Sequence, residues 1–192
     1  LLIVGGGVEG CEFASLYSGL GTQVTLVELM PRLLPLEDEE ISQMMERELK
    51  KRGVDIRTGV TVDQIVRQPD LVTAHLRDGL SLNVAQVLVS VGRGFNSRGI
   101  GLEKAVIQVG TRGEIVVNDR METNVPGVYA IGDVVGKAML AHVASAQGKV
   151  AVENFMGRPR TIDYDVIPTG IFTLPEIGRV GLTEQQARDR CL

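Results

Sequence analysis

The stretch LLIVGGGVEGCEFASLYSGL, residues 1–20, decides the fold. Its first four residues form a continuous apolar run, which is typical of a buried parallel strand. Gly5, Gly7 and Gly10 follow in the spacing GxGxxG, and the apolar side chains after them recur at helical spacing. A strand, a glycine loop and a helix in this order predict a dinucleotide-binding βαβ unit, in which the N-terminus of the helix faces the phosphates.

Glu28 ends the next predicted strand, residues 23–27, at about the spacing expected of a ribose-binding acid. A carboxylate there accepts hydrogen bonds from the ribose diol of NAD and repels the 2′-phosphate of NADP. The repulsion is about 1 kcal/mol per charge pair at 4 Å in water and about 4 kcal/mol at an effective dielectric of 20. We therefore predict that NAD is preferred over NADP by at least about tenfold. Arg32 lies nearby in the sequence, and we interpret it as a solvated loop charge.

The rest of the chain extends this pattern into an α/β fold with a parallel sheet and a small antiparallel meander between residues 60 and 89. Further strands are predicted at residues 54–57, 86–91, 114–118 and 127–131, with strand-like pieces in 166–181. Helices are predicted after the loop at residues 30–35, at residues 141–156 and from Thr183, whose hydroxyl forms a capping box with Gln186.

Composition narrows the classes of partner and compartment. The net charge of -4 shows no basic excess, so we expect neither nucleic acid nor a membrane as a partner. No apolar run reaches the roughly 20 residues that span a bilayer, and no signal-peptide pattern is present, so we predict a cytoplasmic protein. The chain opens without Met inside a predicted strand, and we interpret this start as a cut. Cys11 is expected to be a small buried residue and Cys191 a surface thiol.

The residues alone predict no catalytic or metal-binding constellation. Glu12 lies in the first turns of the predicted helix. Its spacing alone makes it either a functional-site residue or a surface acid that interacts favourably with the helix dipole. Asp133 ends a predicted strand, where it can bind sugar hydroxyls or serve as a turn residue. His142 has no identifiable orienting partner for general-base work, and His75 is interpreted as a surface residue.

Several longer motifs resemble those of the flavin-dependent pyridine nucleotide–disulfide oxidoreductases, over nearly the whole chain. GGGVEGCEFASLYSGLG is similar to the NAD loop and helix of that family, SVGRGFN to the strand end that closes its nucleotide domain, and TNVPGVYAIGDV to its second flavin motif. LAHVASAQG resembles a flavin-facing helix start and favours the lipoamide branch. IPTGIFTLPEIGRVGLTEQQAR resembles the opening of the dimer-interface domain.

The resemblance implies a Rossmann-like three-layer NAD-binding domain at residues 1–97. It implies a returning segment of the FAD-binding domain at 98–157 and the start of a dimerisation domain at 158–192. The implied contacts to NAD come from Gly5, Gly6, Gly7, Val8, Glu9, Gly10, Glu12, Glu28, Val60, Gly92 and Arg93. The implied contacts to FAD come from Asp133, at the ribityl chain, and from Met139, Leu140, Ala141 and His142, which would present backbone N–H groups to the flavin.

The resemblance also implies an activity, in which electrons pass between dihydrolipoamide, a cysteine pair, FAD and NAD in a homodimer acting on a lipoyl-bearing protein or another disulfide. Glu12 would support this chemistry beside a lysine of the flavin domain. That lysine, the upstream FAD loop, the CxxxxC disulfide and the downstream His-Glu pair are not in this sequence. We therefore expect the chain alone to bind NAD(H) weakly, to hold no stable FAD and to show no lipoamide turnover.

Two departures and two alternatives remain open. Glu9 stands where the family usually has Ile, which places a charge beside the nicotinamide path, and Gly94-Phe95 replaces the usual Arg-Pro. One alternative is another disulfide or quinone reductase of the same superfamily. The other is a non-catalytic NAD-binding module.

Overall fold

The computed structural model describes all residues 1–192, which form two compact units. The first unit comprises Leu1–Gly92 and Pro168–Leu192, and the second comprises Arg93–Ile167. The first unit contains β1 Leu2–Val4, α1 Val8–Gly19, β2 Thr25–Glu28, α2 Glu39–Lys51, β3 Asp55–Thr58, β4 Val62–Arg67, β5 Val72–Leu76, β6 Ser81–Val84, β7 Val87–Val89, β8 Thr169–Ile171, β9 Ile177–Arg179 and α3 Glu184–Asp189. The second contains α4 Ala141–Phe155 and short 3₁₀ turns at Gly132–Val135 and Tyr164–Val166.

The central sheet of the first unit is parallel and has the strand order β3-β2-β1-β7. Leu2 on the central strand pairs with Thr25 of β2 on one side and with Val87 of β7 on the other. The chain thus winds outward from β1 in one direction and returns to the opposite side of β1 for β7. This reversal beside β1 is the switch point at which open α/β sheets bind ligands.

Each face of this sheet is covered by a separate apolar cluster. Ile3 and Leu26 point to the helix side, where Ala14 of α1 and Leu49 of α2 complete a buried cluster. Leu2 and Val27 point to the opposite side and pack on the antiparallel meander β4-β5-β6, whose Ala74 and Leu76 are buried. This confirms the predicted three-layer α/β fold with its small meander.

Residues 168–192 join the first unit through backbone and side-chain contacts with α1 and with the segment just before α2. The N–H of Leu174 donates to Ser15 Oγ at 3.0 Å, and Ile171 is buried in the cluster on the helix side. Arg179 Nε lies 3.4 Å from Oε2 of the buried Glu37. The capping box predicted at the last helix is confirmed, since the Thr183 hydroxyl and the Gln186 side chain bond each other's backbone N–H.

The second unit is mostly irregular around α4. The strands predicted at residues 114–118 and 127–131 are wrong, because only isolated bridges form there, Val109 with Ile115 and Glu122 with Tyr129. Neither segment meets a strand with which it could build a continuous ladder. Instead they pack around Met121 and Val150 in a small core.

The domain boundaries predicted after residues 97 and 157 stay predictions. None of the helices combines the length and the apolar character needed to span a bilayer.

Candidate nucleotide-binding site

Two glycines of the loop between β1 and α1 are required by close backbone packing. Gly5 has a φ of +107°, and a Cβ atom there would lie 2.0 Å from the carbonyl oxygen of Ser90. A Cβ on Gly10 would lie 1.8 Å from the carbonyl oxygen of Gly5. The first glycine therefore allows the tight turn beside β7, and the last allows α1 to approach the strand closely.

Gly7 differs from its neighbours because a Cβ atom there would meet nothing within 4 Å. Its φ of -73° is accessible to any residue, so the fold itself does not require glycine. Gly7 is also the N-cap of α1, and no side chain caps that end of the helix. The first turn of α1 therefore presents backbone N–H groups and the positive end of its dipole to open space, as a phosphate site requires.

Glu28 lies at the carboxyl end of β2 and is 92% shielded, with 8% relative exposure. Its Oε2 accepts a hydrogen bond from Gly6 N at 2.5 Å, and its Oε1 accepts one from Met30 N at 2.6 Å. The carboxylate therefore fixes the glycine loop against the end of β2. Because each carboxylate oxygen can accept more than one hydrogen bond, this arrangement is compatible with additional bonds from a ribose diol.

Arg32 is not the solvated loop charge that the sequence suggested. Its Nη1 donates to the carbonyl of Glu37 at 2.9 Å and to Ser42 Oγ at 2.6 Å, and its Nη2 donates to the carbonyl of Pro35 at 2.9 Å. Two loop carbonyls and one hydroxyl oxygen thus hold the guanidinium in the bend before α2. This cation therefore stabilises the loop before α2.

Three other sequence-predicted residues lie around the same sheet edge. The N–H of Val60 donates to the carbonyl of Glu28 at 3.0 Å, which places it beside the end of β2. Glu9 is exposed in the first turn of α1, where the hydroxyl of Ser90 donates to its Oε2 at 3.4 Å. Glu12 Oε1 accepts a hydrogen bond from Phe172 N at 2.8 Å. Sequence reasoning missed the contacts of Ser90 and Phe172, which depend on pairing between distant segments.

The residues predicted to contact FAD lie in the second unit, around the 3₁₀ turn and the start of α4. Gln147, fully buried, accepts a hydrogen bond from Gly132 N at 2.6 Å and thereby fixes the turn that carries Asp133. Asp133 Oδ2 accepts a hydrogen bond from Arg93 Nη1 at 3.0 Å, so the predicted NAD residue Arg93 pairs with the predicted FAD residue. Arg93, Asp133 and Met139 line a cleft of about 610 Å³ in this unit.

The N-terminus of α4 also lacks a side-chain cap. Leu140 is its N-cap, Ala141 begins the helix, and His142 is exposed in the first turn. The first backbone N–H groups of a helix have no acceptor within it, so acceptors on a ligand can satisfy them.

The two cysteines differ in reactivity because only one is buried. Cys11 lies beneath the glycine loop, where its Sγ donates to the carbonyl of Gly6 at 3.4 Å. Burial, reinforced by the negative charges of Glu28 and Glu12, raises the pKa of this thiol to about 12. Cys191 is exposed, as the sequence predicted.

We therefore expect a maleimide or disulfide reagent at pH 8 to label one thiol of the folded chain, at Cys191, because the thiolate is the reacting form. Counting labelled thiols by intact mass before and after denaturation checks this, and two should react once the chain is unfolded. Rapid labelling of both thiols in the folded chain would contradict the buried position of Cys11.

The sequence pattern of the pyridine nucleotide-disulphide oxidoreductases matches residues 1–148. The chain belongs to this family. The match covers the glycine loop, the whole β3-β2-β1-β7 sheet with its meander, and the second unit through the first half of α4.

Relatives in the family agree with this placement. The chain is 43% identical over 192 residues to the dihydrolipoyl dehydrogenase of Chlamydia pneumoniae, covering 100% of this chain and 41% of the relative. It is 40% identical over 186 residues to the soluble pyridine nucleotide transhydrogenase of a Marinomonas species, covering 97% of this chain and 40% of the relative. The chain thus spans about two fifths of the length of the relatives that it matches.

Solved structures share the fold. The crystal structure of LpdA from Mycobacterium tuberculosis superposes with a TM-score of 0.94 at 31% identity, over 100% of this chain and 42% of that one. The HOCl-induced flavoprotein disulfide reductase RclA from Escherichia coli superposes with a TM-score of 0.90 at 32% identity, over 98% of this chain and 43% of that one. The parallel and antiparallel sheets described above therefore match those of a solved flavoprotein disulfide reductase.

Proposed function

We propose that the chain is the NAD(H)-binding part of a flavin-dependent disulfide oxidoreductase, and that the whole protein is a dihydrolipoyl dehydrogenase. The observation that carries the proposal is the loop from Gly5 to Gly10, which joins an uncapped helix N-terminus to a buried acid at the end of β2. The relatives named dihydrolipoyl dehydrogenase support the choice within the family.

The loop fits the diphosphate of NAD and Glu28 fits its ribose. Open space at Gly7 lets a phosphate approach the backbone, and the first N–H groups of α1 can donate to it. Glu28 would accept hydrogen bonds from the adenosine ribose while its contacts with Gly6 and Met30 keep it oriented. Arg32 donates to two loop carbonyls and to Ser42 Oγ, so these N–H groups are engaged and do not donate to a 2′-phosphate.

The second unit fits part of FAD. Asp133, held on the turn that Gln147 fixes, would accept hydrogen bonds from the ribityl hydroxyls. The uncapped start of α4 at Ala141 would donate backbone hydrogen bonds to flavin oxygen or nitrogen, and His142 would act through its N–H in the same turn. Bound FAD supplies electron transfer between a disulfide and the nicotinamide. Residues of this chain would bind and orient the cofactors.

The whole protein would act as a homodimer on a lipoyl-bearing protein, in the cytoplasm. A different reductase of the same family is the second candidate, because the chain is also 40% identical to a soluble pyridine nucleotide transhydrogenase and shares its fold with an HOCl-induced disulfide reductase. Both candidates use the nucleotide site described above. Reduction of NAD⁺ to NADH by the full-length protein with dihydrolipoamide as the electron donor would separate them.

The substitution Gly7→Ala tests nucleotide binding by the chain itself. A methyl group at this position meets open space in the structure but would lie where the diphosphate must approach. We expect NADH affinity, measured by fluorescence titration, to fall about tenfold or more, which is a free-energy loss of about 1.4 kcal/mol.

Thermal unfolding of the same variant serves as its control and should match the parent chain, because the φ of Gly7 suits alanine. Unchanged NADH affinity in a folded Gly7→Ala chain would contradict a diphosphate at this loop.

A further inference from the structure

Glu9 lies on the side of the switch point opposite to Glu28. It belongs to the first turn of α1, is exposed, and is held by the hydroxyl of Ser90, the residue that follows β7. Glu28 instead ends β2, on the other side of the central strand β1. The two carboxylates therefore mark opposite flanks of the glycine loop.

A dinucleotide that crosses a switch point places its two halves on these opposite flanks. The adenosine half belongs at Glu28, since the acid after the second strand meets its ribose. The diphosphate occupies the loop at Gly7, and the nicotinamide half therefore extends toward β7, where Ser90 and Glu9 meet. This placement rests on the proposed function.

The oxidised and reduced forms of the cofactor differ in the charge of the nicotinamide ring, and this charge interacts with a nearby carboxylate. The nicotinamide ring of NAD⁺ carries a positive charge, whereas the dihydronicotinamide of NADH is neutral, and the adenosine and diphosphate are the same in both. A negative charge near the ring attracts only the oxidised form. A charge near the diphosphate repels both forms equally.

We propose that Glu9 is a specificity-determining residue that shifts the binding preference of this site toward NAD⁺ over NADH. Glu9 also favours the dipole of α1, and it repels the diphosphate that the same helix attracts. Those two effects act alike on NAD⁺ and NADH. The ratio of their dissociation constants therefore isolates the interaction of Glu9 with the nicotinamide charge.

The substitution Glu9→Gln removes the charge and keeps the shape of the side chain. We expect the ratio of the NADH dissociation constant to the NAD⁺ dissociation constant to fall about three- to tenfold, as Coulomb's law gives for charges within about 10 Å at intermediate dielectric. Both constants are measured on the 192-residue chain, NADH by its fluorescence and NAD⁺ by displacement of NADH. The fall should shrink as salt rises from 20 to about 500 mM, because the site is exposed to solvent.

Two controls separate this effect from a general loss of charge. Glu40→Gln removes one exposed charge from α2 and should leave the ratio unchanged. ADP-ribose lacks the nicotinamide, so its affinity reports the effect of Glu9 on the diphosphate alone.

If the ratio of the NADH to the NAD⁺ dissociation constant changes less than about twofold in Glu9→Gln, the inference is overturned. NADH binding by that variant would still leave the proposed function intact. A chain that binds neither nucleotide would overturn both. A shift in the ratio that Glu40→Gln reproduces would also overturn it, because the position of Glu9 would then be irrelevant.

Discussion

Gly10→Ala lowers the melting temperature of the chain by roughly 4–8 °C. The new Cβ atom would lie 1.8 Å from the carbonyl oxygen of Gly5, and neither atom can move away unless the backbone itself shifts. Overpacking of this kind costs about 3 kcal/mol, whereas alanine gains about 1 kcal/mol over glycine inside a helix. The net loss of about 2 kcal/mol gives the expected shift for a chain of this size, measurable by circular dichroism.

The matched control lies in the same helix. Gly19, the last residue of α1, would place a Cβ atom in open space, so Gly19→Ala should leave stability unchanged or raise it slightly. If Gly10→Ala and Gly19→Ala melted at the same temperature, the close approach of α1 to the glycine loop would be wrong.

Glu28→Gln destabilises the first unit by about 1–3 kcal/mol, although it replaces only one heavy atom. Both carboxylate oxygens accept from backbone donors, Gly6 N and Met30 N. The amide of glutamine offers one oxygen, and its NH₂ group would face a backbone N–H that then has no acceptor in a buried position. Chemical denaturation of the variant and of the parent chain measures the difference.

The same variant is expected to lose discrimination between NADH and NADPH, since the charge that repels the 2′-phosphate is removed. We expect the ratio of their affinities to narrow by about fivefold or more, equivalent to about 1 kcal/mol. Glu40→Gln again provides an exposed carboxylate whose loss should change neither stability nor this ratio. If Glu28→Gln were as stable as the parent chain, the hydrogen bonds from Gly6 N and Met30 N to Glu28 would contribute little to stability.

The features that the sequence predicted correctly are those that depend on short-range patterns. The glycine spacing, the acid that ends β2 and the capping box at Thr183 each involve neighbours in one strand, loop or helix turn. Each carries its own physical requirement, such as the absence of a Cβ atom at Gly10, and so can be recognised from residue types alone.

The features that it missed depend on where distant backbone lies. Arg32 stabilises the loop because three acceptors converge on it, two of them carbonyl groups whose orientation no residue type reveals. The bond from Phe172 N to Glu12 joins residues 160 positions apart. The strands expected at residues 114–118 and 127–131 have suitable composition, but strand formation also needs a partner, and within this chain they meet only single bridges.

If the first unit is an NAD site and Glu28 selects against the 2′-phosphate, the 192-residue chain should distinguish NADH from NADPH. Titration of the chain with each nucleotide, under one buffer and salt condition, measures this discrimination. We expect saturable binding of NADH that is at least about tenfold tighter than that of NADPH. Equal or tighter binding of NADPH, or no binding of NADH, would contradict it.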